Sequence, residues 1–396
     1  MRTGTGAMRR GSLLPTAVYL RAGALVVMWN CAGATSDTQD RDMSRAPSAI
    51  ASKAGPRGAA SIPLVEGAHH TGASAASAAP EFASPRRSLG FALRLLWKTD
   101  TTSVAEASVH PFDIHFSDRG LLVMDVGDSR LNLLDSRTGT TLARAGGEGA
   151  GPNELRGVVT VFGTRTRPML LEFQSGRVAE LGGGNAALIP VSASRAKVWT
   201  SGCAWGDGRL LLNKIGPTPF EYFVSTIGRD PEIVDSLAMP WPRLLAQAFI
   251  ARQARLRQVD DSTCAILPAY YPEFALLSPS RPIVTGRHIE ELPAAVGVDT
   301  KVGNATEHTV ARGAKHGHRD ARAWRDAVII LFEGTSEHKG RVLDVFSRKD
   351  LSYRGSMLLP FEGGKIAISG DTLAVVGEEN FYPVVAAFLL VPDDRQ

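Results

Sequence analysis

The chain has 396 residues, 44% of them hydrophobic and 21% charged, a composition typical of a globular protein with one large or two ordinary domains. Its net charge of +4 comes from 44 basic and 40 acidic residues. The first 90 residues contain ten basic and five acidic side chains, which leaves 34 basic and 35 acidic ones for the rest. Because this larger part has no net cationic field, nucleic acid is excluded as an expected partner.

The N-terminus has the layout of a secretory signal. Basic residues near Arg9 precede a short apolar run at 22–29, and small residues follow at 31–34. The apolar run is too short to cross a bilayer, so we predict a signal peptide at 1–34. Two processing routes stay open: lipidation of Cys31, as in bacterial lipoproteins, or cleavage after Ala34. Both predict an exported protein that is periplasmic, extracellular or lipid-anchored at the bacterial envelope.

The segment 35–90 is rich in Ala, Ser, Gly and Pro and poor in large apolar side chains. Such a segment buries too little surface to offset the entropy lost on ordering. We therefore predict a disordered tether at 35–90, followed by one folded domain at 91–396.

Short apolar runs separated by turn residues recur along this domain. The clearest unit has four predicted strands, at 112–116, 120–125, 130–135 and 140–144. Five further units of three or four strands follow, in 158–191, 203–237, 264–285, 328–359 and 365–391. The Arg-Leu pair at 130–131 and the Arg-Val pair at 177–178 lie 47 residues apart, a spacing typical of propeller blades. The predicted fold class is all-β, a six-bladed β-propeller of four-stranded antiparallel blades.

The first unit ends in the glycine-rich loop Gly147-Glu-Gly-Ala-Gly-Pro-Asn-Glu-Leu155, after Asp125, Arg130-Leu131 and Leu134-Asp135. In these residues the chain resembles the bacterial six-bladed β-propeller proteins with NHL-like repeats. The resemblance extends over roughly 93–391. It implies a propeller fold and an exported setting, and it implies no particular activity, since this fold supports many functions.

Two segments depart from the strand pattern. Residues 244–259 lack Gly and Pro and have Leu245, Phe249 and Leu256 on one helical stripe, so we predict a short helix between the third and fourth blades. Residues 286–326 are polar and contain several histidines, and we predict an elaborated loop there.

Two cysteines, Cys203 and Cys264, lie in the folded domain. In an exported protein such a pair can be oxidised, but their spacing does not show whether they come close enough to bridge. A disulfide and two buried thiols both remain open.

The first predicted strand of the first blade contains the candidate ligand-binding residues His110, Asp113 and His115. Strand alternation places Asp113 and His115 on one face. We expect that face to line a central channel.

A second polar cluster lies in the predicted loop 286–326. Its members have spacings loosely compatible with a metal site: His308, His316, His318 and Asp320. The neighbouring Lys315, Arg319 and Arg322 are cationic and disfavour a metal ion, so we predict a solvated loop and no metal site.

The sequence has no Gly-x-Ser-x-Gly nucleophile motif and no clear carboxylate pair. We therefore predict a binding or scaffold module at the cell envelope, without catalytic residues or cofactor. It would act as a monomer on a protein or small-molecule ligand of unknown identity, with membrane contact only through a lipid anchor. The alternative is a propeller enzyme, a metal-assisted hydrolase, lactonase or lyase with its site in the channel. A third hypothesis is a protein–protein platform formed by segments 244–259 and 286–326.

Overall fold

The structure is a computed structural model that describes residues 86–393. Gaps in this range fall at 100–109, 150, 152, 173–174, 183–187, 194–198, 215–221, 227–234, 238–240, 242–253, 293–295, 303–304, 312–313 and 335–337. The predicted signal peptide 1–34, with Cys31, and the predicted tether up to residue 85 lie outside the described residues.

All regular elements of the described residues are β-strands, and 24 of the 26 form six four-stranded antiparallel sheets. The first strand of the described residues is β1 (Phe91–Lys98). Sheet 1 contains β2 (Pro111–Ser117), β3 (Gly120–Asp125), β4 (Arg130–Leu134) and β5 (Thr141–Gly146). Sheet 2 contains β6 (Val158–Gly163), β7 (Pro168–Glu172), β8 (Arg177–Leu181) and β9 (Leu188–Ala193). Sheet 3 contains β10 (Trp199–Ala204), β11 (Arg209–Lys214), β12 (Tyr222–Thr226) and β13 (Asp235–Leu237).

The second half of the chain continues the same pattern. Sheet 4 contains β14 (Ala254–Asp260), β15 (Thr263–Pro268), β16 (Glu273–Ser278) and β17 (Arg281–Arg287). A two-stranded ribbon follows, with β18 (Gly297–Val302) and β19 (Ala305–Val310). Sheet 5 contains β20 (His318–Trp324), β21 (Ala327–Phe332), β22 (Val342–Ser347) and β23 (Tyr353–Leu358). Sheet 6 contains β24 (Glu362–Ser369), β25 (Thr372–Glu379), β26 (Tyr382–Pro392) and, beside β26, β1.

The first strands of the six sheets, called here the inner strands, are β2, β6, β10, β14, β20 and β24. Each inner strand contacts the inner strand of the next sheet, and β24 contacts β2. A separate apolar cluster fills the space between every two neighbouring sheets, including sheets 6 and 1. Stacking in a ring therefore covers the apolar faces of each small sheet. The fold is an all-β β-propeller with small four-stranded antiparallel blades.

Sheet 6 combines strands from both ends of the folded part. Its outer strand β1 pairs antiparallel with β26, from Phe91 opposite Pro392 to Lys98 opposite Ala386. Trp97 of β1 packs into the cluster between sheets 6 and 1, and its Nε1 donates to the carbonyl of Ser136, 2.9 Å away. The Trp97 ring lies against Gly139, which has a φ of 75°, so that a Cβ there would be 2.6 Å from the ring. The β4–β5 turn thus needs glycine at 139 to admit the tryptophan.

Replacing Trp97 with alanine is expected to lower the free energy of unfolding by about 3 kcal/mol, because a buried indole and its hydrogen bond are lost where the ring of sheets closes. Chemical denaturation of the full chain measures this change. Leu96 is the matched control: it is the neighbouring residue on β1 and is 40% exposed. Leu96→Ala should cost less than 1 kcal/mol, and an equal loss for both variants would contradict the role given to Trp97.

Residues 86–90, the end of the predicted tether, lie against sheet 5. Arg86 donates from Nε and Nη2 to the two carboxylate oxygens of Asp344, each at 2.9 Å, and it also pairs with Glu290. Its guanidinium lies 4.7 Å from the ring centre of Phe332. Asp344 is fully buried, so Arg86 is an anchor that holds the chain to sheet 5 before β1 begins.

Two sequence predictions are wrong where the inner strands of sheets 4 and 5 lie. Part of the predicted helix 244–259 is strand β14; the rest of it, 244–253, lies outside the described residues. The predicted loop 286–326 contains β18, β19 and the whole of β20. Both inner strands contain several charged residues. Such residues normally lie on the solvated surface, so the sequence pattern does not indicate a buried strand at either place. The predicted strands of the other sheets agree with the observed ones within a few residues.

Cys203 and Cys264 form a disulfide bond, which settles the alternative that the sequence left open. Cys203 lies on inner strand β10 of sheet 3 and Cys264 on β15 of sheet 4. The bond therefore joins two neighbouring sheets inside their shared apolar cluster.

Candidate ligand site at the centre of the propeller

Five of the six inner strands have a β-bulge at the same place. The register of each shifts by one residue after its first pair or, in β24, after its second, as between Pro111 and Asp113 in β2 and between His318 and Asp320 in β20. The same shift occurs in β6, β10 and β24. In β14 the register runs unbroken through this point and shifts later, after Gln258. A bulge redirects the following side chain, and here it creates a repeated polar position.

Equivalent positions on the inner strands form two layers. The central layer consists of the residue after the bulge, or its counterpart in β14: Asp113, Thr160, Ser201, Arg255, Asp320 and Lys365. The second layer lies two residues further along each strand: His115, Phe162, Cys203, Arg257, Arg322 and Ala367. All six members of the central layer are polar.

Hydrogen-bond acceptors of the central layer link neighbouring sheets. The second carboxylate oxygen of Asp113 accepts from Thr160 Oγ1 at 2.7 Å and from the amide of Val161 at 3.0 Å. Ser201 Oγ accepts from the amide of Leu256 at 2.9 Å. These bonds join sheet 1 to sheet 2 and sheet 3 to sheet 4.

Asp320 makes the third link of this kind. Its second carboxylate oxygen accepts from the amide of Ile366 in sheet 6 at 2.9 Å. In all three links the donor is the amide just after the central-layer residue of the next sheet. The central-layer residues that accept these three bonds therefore lie on sheets 1, 3 and 5. The central-layer residues of sheets 2, 4 and 6 are Thr160, Arg255 and Lys365.

Arg257 of the second layer reaches across the centre of the ring. Its Nη1 donates to Thr160 Oγ1 at 3.0 Å and lies 3.7 Å from Asp113 Oδ2, and its Nε lies 3.5 Å from Asp320 Oδ1. A side chain from sheet 4 thus contacts sheets 1, 2 and 5. Nε of Arg257 is buried and makes no hydrogen bond.

Arg322 and Lys365 complete the charged centre. Arg322 donates from Nη1 to Asp320 Oδ1 at 2.7 Å and from Nη2 to the carbonyl of Ile114 at 3.3 Å. Lys365 is 5% exposed, and its Nζ lies 3.5 Å from the carbonyl of Arg319 and 6.0 Å from the ring centre of Phe112. The two layers together contain four cationic side chains, Arg255, Arg257, Arg322 and Lys365, and two carboxylates.

Burial and neighbouring charges shift the pKa values of the charged residues at the centre. Burial raises the pKa of Asp113, but the charges of Arg257, Lys365 and Arg322 and the hydrogen bond from Thr160 together outweigh it, and the net pKa is lowered. Burial lowers the pKa of Lys365 well below its ordinary value, and Arg257 and Arg255 lower it further. The pKa of Arg255 falls to about 10 by burial and by its proximity to Arg257. The centre is thus short of negative charge.

The structure separates the three residues predicted as a ligand site. Asp113 and His115 share one face of β2, in the central and second layers. His110 is exposed and precedes the strand, and its backbone amide donates to Asp125. His115 is buried and its Nε2 makes no hydrogen bond. Burial, followed by the charge of Arg322, lowers the pKa of His115 to about 4, so the ring is neutral at pH 7.

The histidines of the predicted solvated loop have different surroundings. His318 is buried on β20, donates from Nδ1 to the carbonyl of Pro268 and stacks on His288 with ring centres 3.9 Å apart. Asp320 is fully buried in the central layer, so the prediction of a solvated loop is wrong for both residues. His316 lies near Glu333, 3.7 Å away, and the His308 side chain lies outside the described residues. Among the described residues no three His, Cys, Asp or Glu side chains form a group that could hold a metal ion.

Sequence reasoning missed most of the central residues. The sequence pattern predicts a helix at Arg255 and Arg257 and a solvated loop at Arg319 and Arg322. One signal was available: charged residues alternate with small or apolar ones over short stretches, Arg-Leu-Arg at 255–257 and Asp-Ala-Arg-Ala at 320–323. Opposite charges on strands of different sheets neutralise one another, and that pairing is visible only in three dimensions.

Replacing Asp320 with alanine is expected to lower the free energy of unfolding by about 3 kcal/mol. The substitution leaves the amide of Ile366 without its acceptor and Arg322 without its carboxylate, both in a buried setting. Chemical denaturation checks this. Asp326→Ala is the matched control, because Asp326 pairs with Arg354 at an exposed surface and should lose less than 1 kcal/mol. Similar losses in the two variants would rule out the linking role of Asp320.

No protein-family model and no curated protein sequence matches this chain. Among solved structures it is similar to a candidate exported protein of Bacteroides fragilis, with 10% identity, a TM-score of 0.47, and coverage of 78% of this chain and 98% of that one. It is similar to virginiamycin B lyase from Staphylococcus aureus, with 10% identity, a TM-score of 0.47, and coverage of 76% and 100%. It is also similar to the PQQ-bound aldose sugar dehydrogenase of Streptomyces coelicolor, with 12% identity, a TM-score of 0.47, and coverage of 78% and 100%.

At such identities we infer nothing about activity from these structures. The strands, the sheets and the apolar clusters between them define this chain as a β-propeller protein with a charged polar centre. Within the described residues no helix is long and apolar enough to cross a membrane.

Proposed function

We propose that this protein is an exported binding module of the bacterial envelope that holds its ligand at the centre of the propeller. The observation that carries the proposal is the engagement of the central carboxylates. Asp113 and Asp320 each accept hydrogen bonds from two backbone amides and from one side chain. Carboxylates bound in this way hold the sheets together, and they are poorly placed to move protons during a reaction.

We further infer that each of the six four-stranded sheets is one blade of a six-bladed ring. The continuous contacts between inner strands, from β2 round to β24 and back, support this count. The export part of the proposal rests on the layout of residues 1–34. The disulfide between Cys203 and Cys264 supports it, because such bonds persist in oxidising compartments outside the cytosol.

A second candidate function is a propeller enzyme, and one observation favours it. His115 is neutral at pH 7 and its Nε2 makes no hydrogen bond, which are properties of a general base or a metal ligand. A hydrolase, lactonase or lyase of this kind would use His115 together with Asp113. The exposed His110 lies outside the two layers and would take part only from the rim.

Native mass spectrometry and elemental analysis of the full chain, purified from the envelope fraction of a bacterial host, test the two functions. A binding module is expected to retain a stoichiometric organic ligand or to acquire one from envelope extract, and to release it chemically unchanged. A stoichiometric metal ion that disappears in His115→Gln but remains in the matched variant His110→Gln would overturn the proposal in favour of the enzyme. Accumulation of the protein in the cytosol with its first 34 residues intact would overturn the export part.

A further inference from the structure

We propose that the centre of the propeller binds an oxyanion, the carboxylate or phosphate group of a small molecule, between Lys365, Arg257 and Arg255. This inference rests on the proposed binding function and names the chemistry of the ligand. It starts from the unequal numbers of charged side chains in the two layers, four cations against two carboxylates.

The two carboxylates are already committed. Oδ1 of Asp113 accepts from the amide of Ile114, and its Oδ2 accepts from Thr160 and Val161. Oδ1 of Asp320 accepts from the amide of Ala321 and from Arg322, and its Oδ2 from Ile366. Little acceptor capacity is left on either group for another donor.

Lys365 is the cation with the least compensation. It is 5% exposed, and its shortest polar contact is the 3.5 Å approach to the carbonyl of Arg319. No carboxylate of the described residues lies within 4.0 Å of its Nζ. An ammonium group removed from water without a paired anion is costly in free energy, and such groups bind anions readily when one can reach them.

Arg257 offers a second donor at the centre of the ring. The side chain is buried, its Nε makes no hydrogen bond, and its nearest carboxylate oxygens are 3.5 and 3.7 Å away. These distances correspond to charge attraction without a hydrogen bond. The guanidinium of Arg257, which reaches across the centre from sheet 4, and the ammonium of Lys365 on sheet 6 form a suitable pair of donors for an oxyanion.

We infer that an anion reaches this position from the end of the ring where the inner strands begin. Arg255 is partly exposed, as are Glu333, Glu362 and His316 near the start of the inner strands. Arg319 and Glu333 pair there at 3.0 Å, and Arg319 and Glu362 at 2.6 Å, so those carboxylates are also engaged. An anion arriving from this end meets Arg255 first and then Lys365.

Calorimetric titration of the full chain with sodium phosphate and with sodium acetate, at constant ionic strength set by sodium chloride, tests the proposal. We expect saturable 1:1 binding of at least one of these anions. Lys365→Met should weaken that binding at least tenfold. Lys349→Met removes the same charge from an exposed turn and should leave the affinity unchanged within twofold. Circular dichroism confirms that both variants fold.

Comparing the two anions shows whether the anionic group of the ligand is a phosphate or a carboxylate. Binding of phosphate alone assigns a phosphate ester, and binding of acetate alone assigns a carboxylate. Failure of both anions to bind, or equal affinities in Lys365→Met and Lys349→Met, would overturn the oxyanion inference. If a neutral ligand is nevertheless found by native mass spectrometry, the binding function stands and only the oxyanion inference fails. If neither an anion nor a retained ligand is found, both fail.

Discussion

Lowering the pH from 6.5 to 5 is expected to remove about 5 kcal/mol from the free energy of unfolding. Three buried histidines are responsible: His115, His288 and His318. Burial lowers the pKa of His115 and of His318 to about 4, and burial together with the neighbouring His318 lowers that of His288 well below its ordinary value. Unfolding exposes all three, and each then takes up a proton with a pKa near 6.5.

The sign follows from proton binding in the two states. Between pH 6.5 and about 4 the unfolded chain binds more protons than the folded one, so stability falls as the pH falls. The slope for each histidine is about 0.7 kcal/mol per pH unit at pH 6.5 and approaches about 1.4 kcal/mol per pH unit near pH 5. Carboxyl groups with lowered pKa values, such as Asp113 and Glu333, lose their contribution only at lower pH, as the pH falls below about 4.

Urea denaturation at pH 6.5, 6.0, 5.5 and 5.0 measures this slope. His115→Gln removes one of the three titrating groups and should reduce the slope by about a third, whereas His110→Gln replaces an exposed histidine and should leave it unchanged. A stability that is constant from pH 6.5 to 5.0 would contradict the burial of these rings.

Reducing the disulfide bond between Cys203 and Cys264 is expected to lower the free energy of unfolding by about 4 kcal/mol. The two cysteines are 61 residues apart in sequence, and a cross-link over such a loop restricts the unfolded chain strongly. The bond also joins sheets 3 and 4 within one apolar cluster, so reduction leaves two thiols packed in the same place.

The double variant Cys203→Ala, Cys264→Ala, compared with the oxidised full chain by chemical denaturation, gives this value. Cys31→Ala is the control, because it lies far from the folded domain in sequence and should not change the unfolding of that domain. An unfolding free energy that is the same with and without reductant would show that the cysteines are not bonded in solution.

Much of the architecture was predictable because the sheets are local. Sheets 1, 2 and 3 are built from consecutive strands with period-two alternation and short turns, and the sequence shows these directly. The strand β1 is different: its partner β26 is at the other end of the chain, and no local pattern indicates such a pairing. The same holds for the disulfide, whose formation depends on a distance between sheets.

The centre of the propeller was only partly predictable. Asp113 and His115 were recognised because polar residues interrupt an apolar strand in the best-defined blade. Arg257 and Lys365 were not, since a lone arginine or lysine in a sequence is normally exposed. Arg257 is buried near carboxylates supplied by sheets 1 and 5, and Lys365 is buried on the inner strand of sheet 6, so only the closed ring shows that these charges lie together.

A crystal structure of the full chain, purified from the envelope fraction without denaturation, tests the central claim most directly. The ligand is predicted to give difference density at the centre of the ring of six sheets, with an anionic group within hydrogen-bond distance of Lys365 Nζ and the guanidinium of Arg257. Density for a ligand on an outer face of the propeller, with only water beside Lys365, would contradict a central binding site. A metal ion bound to His115 and Asp113 would contradict the binding function itself.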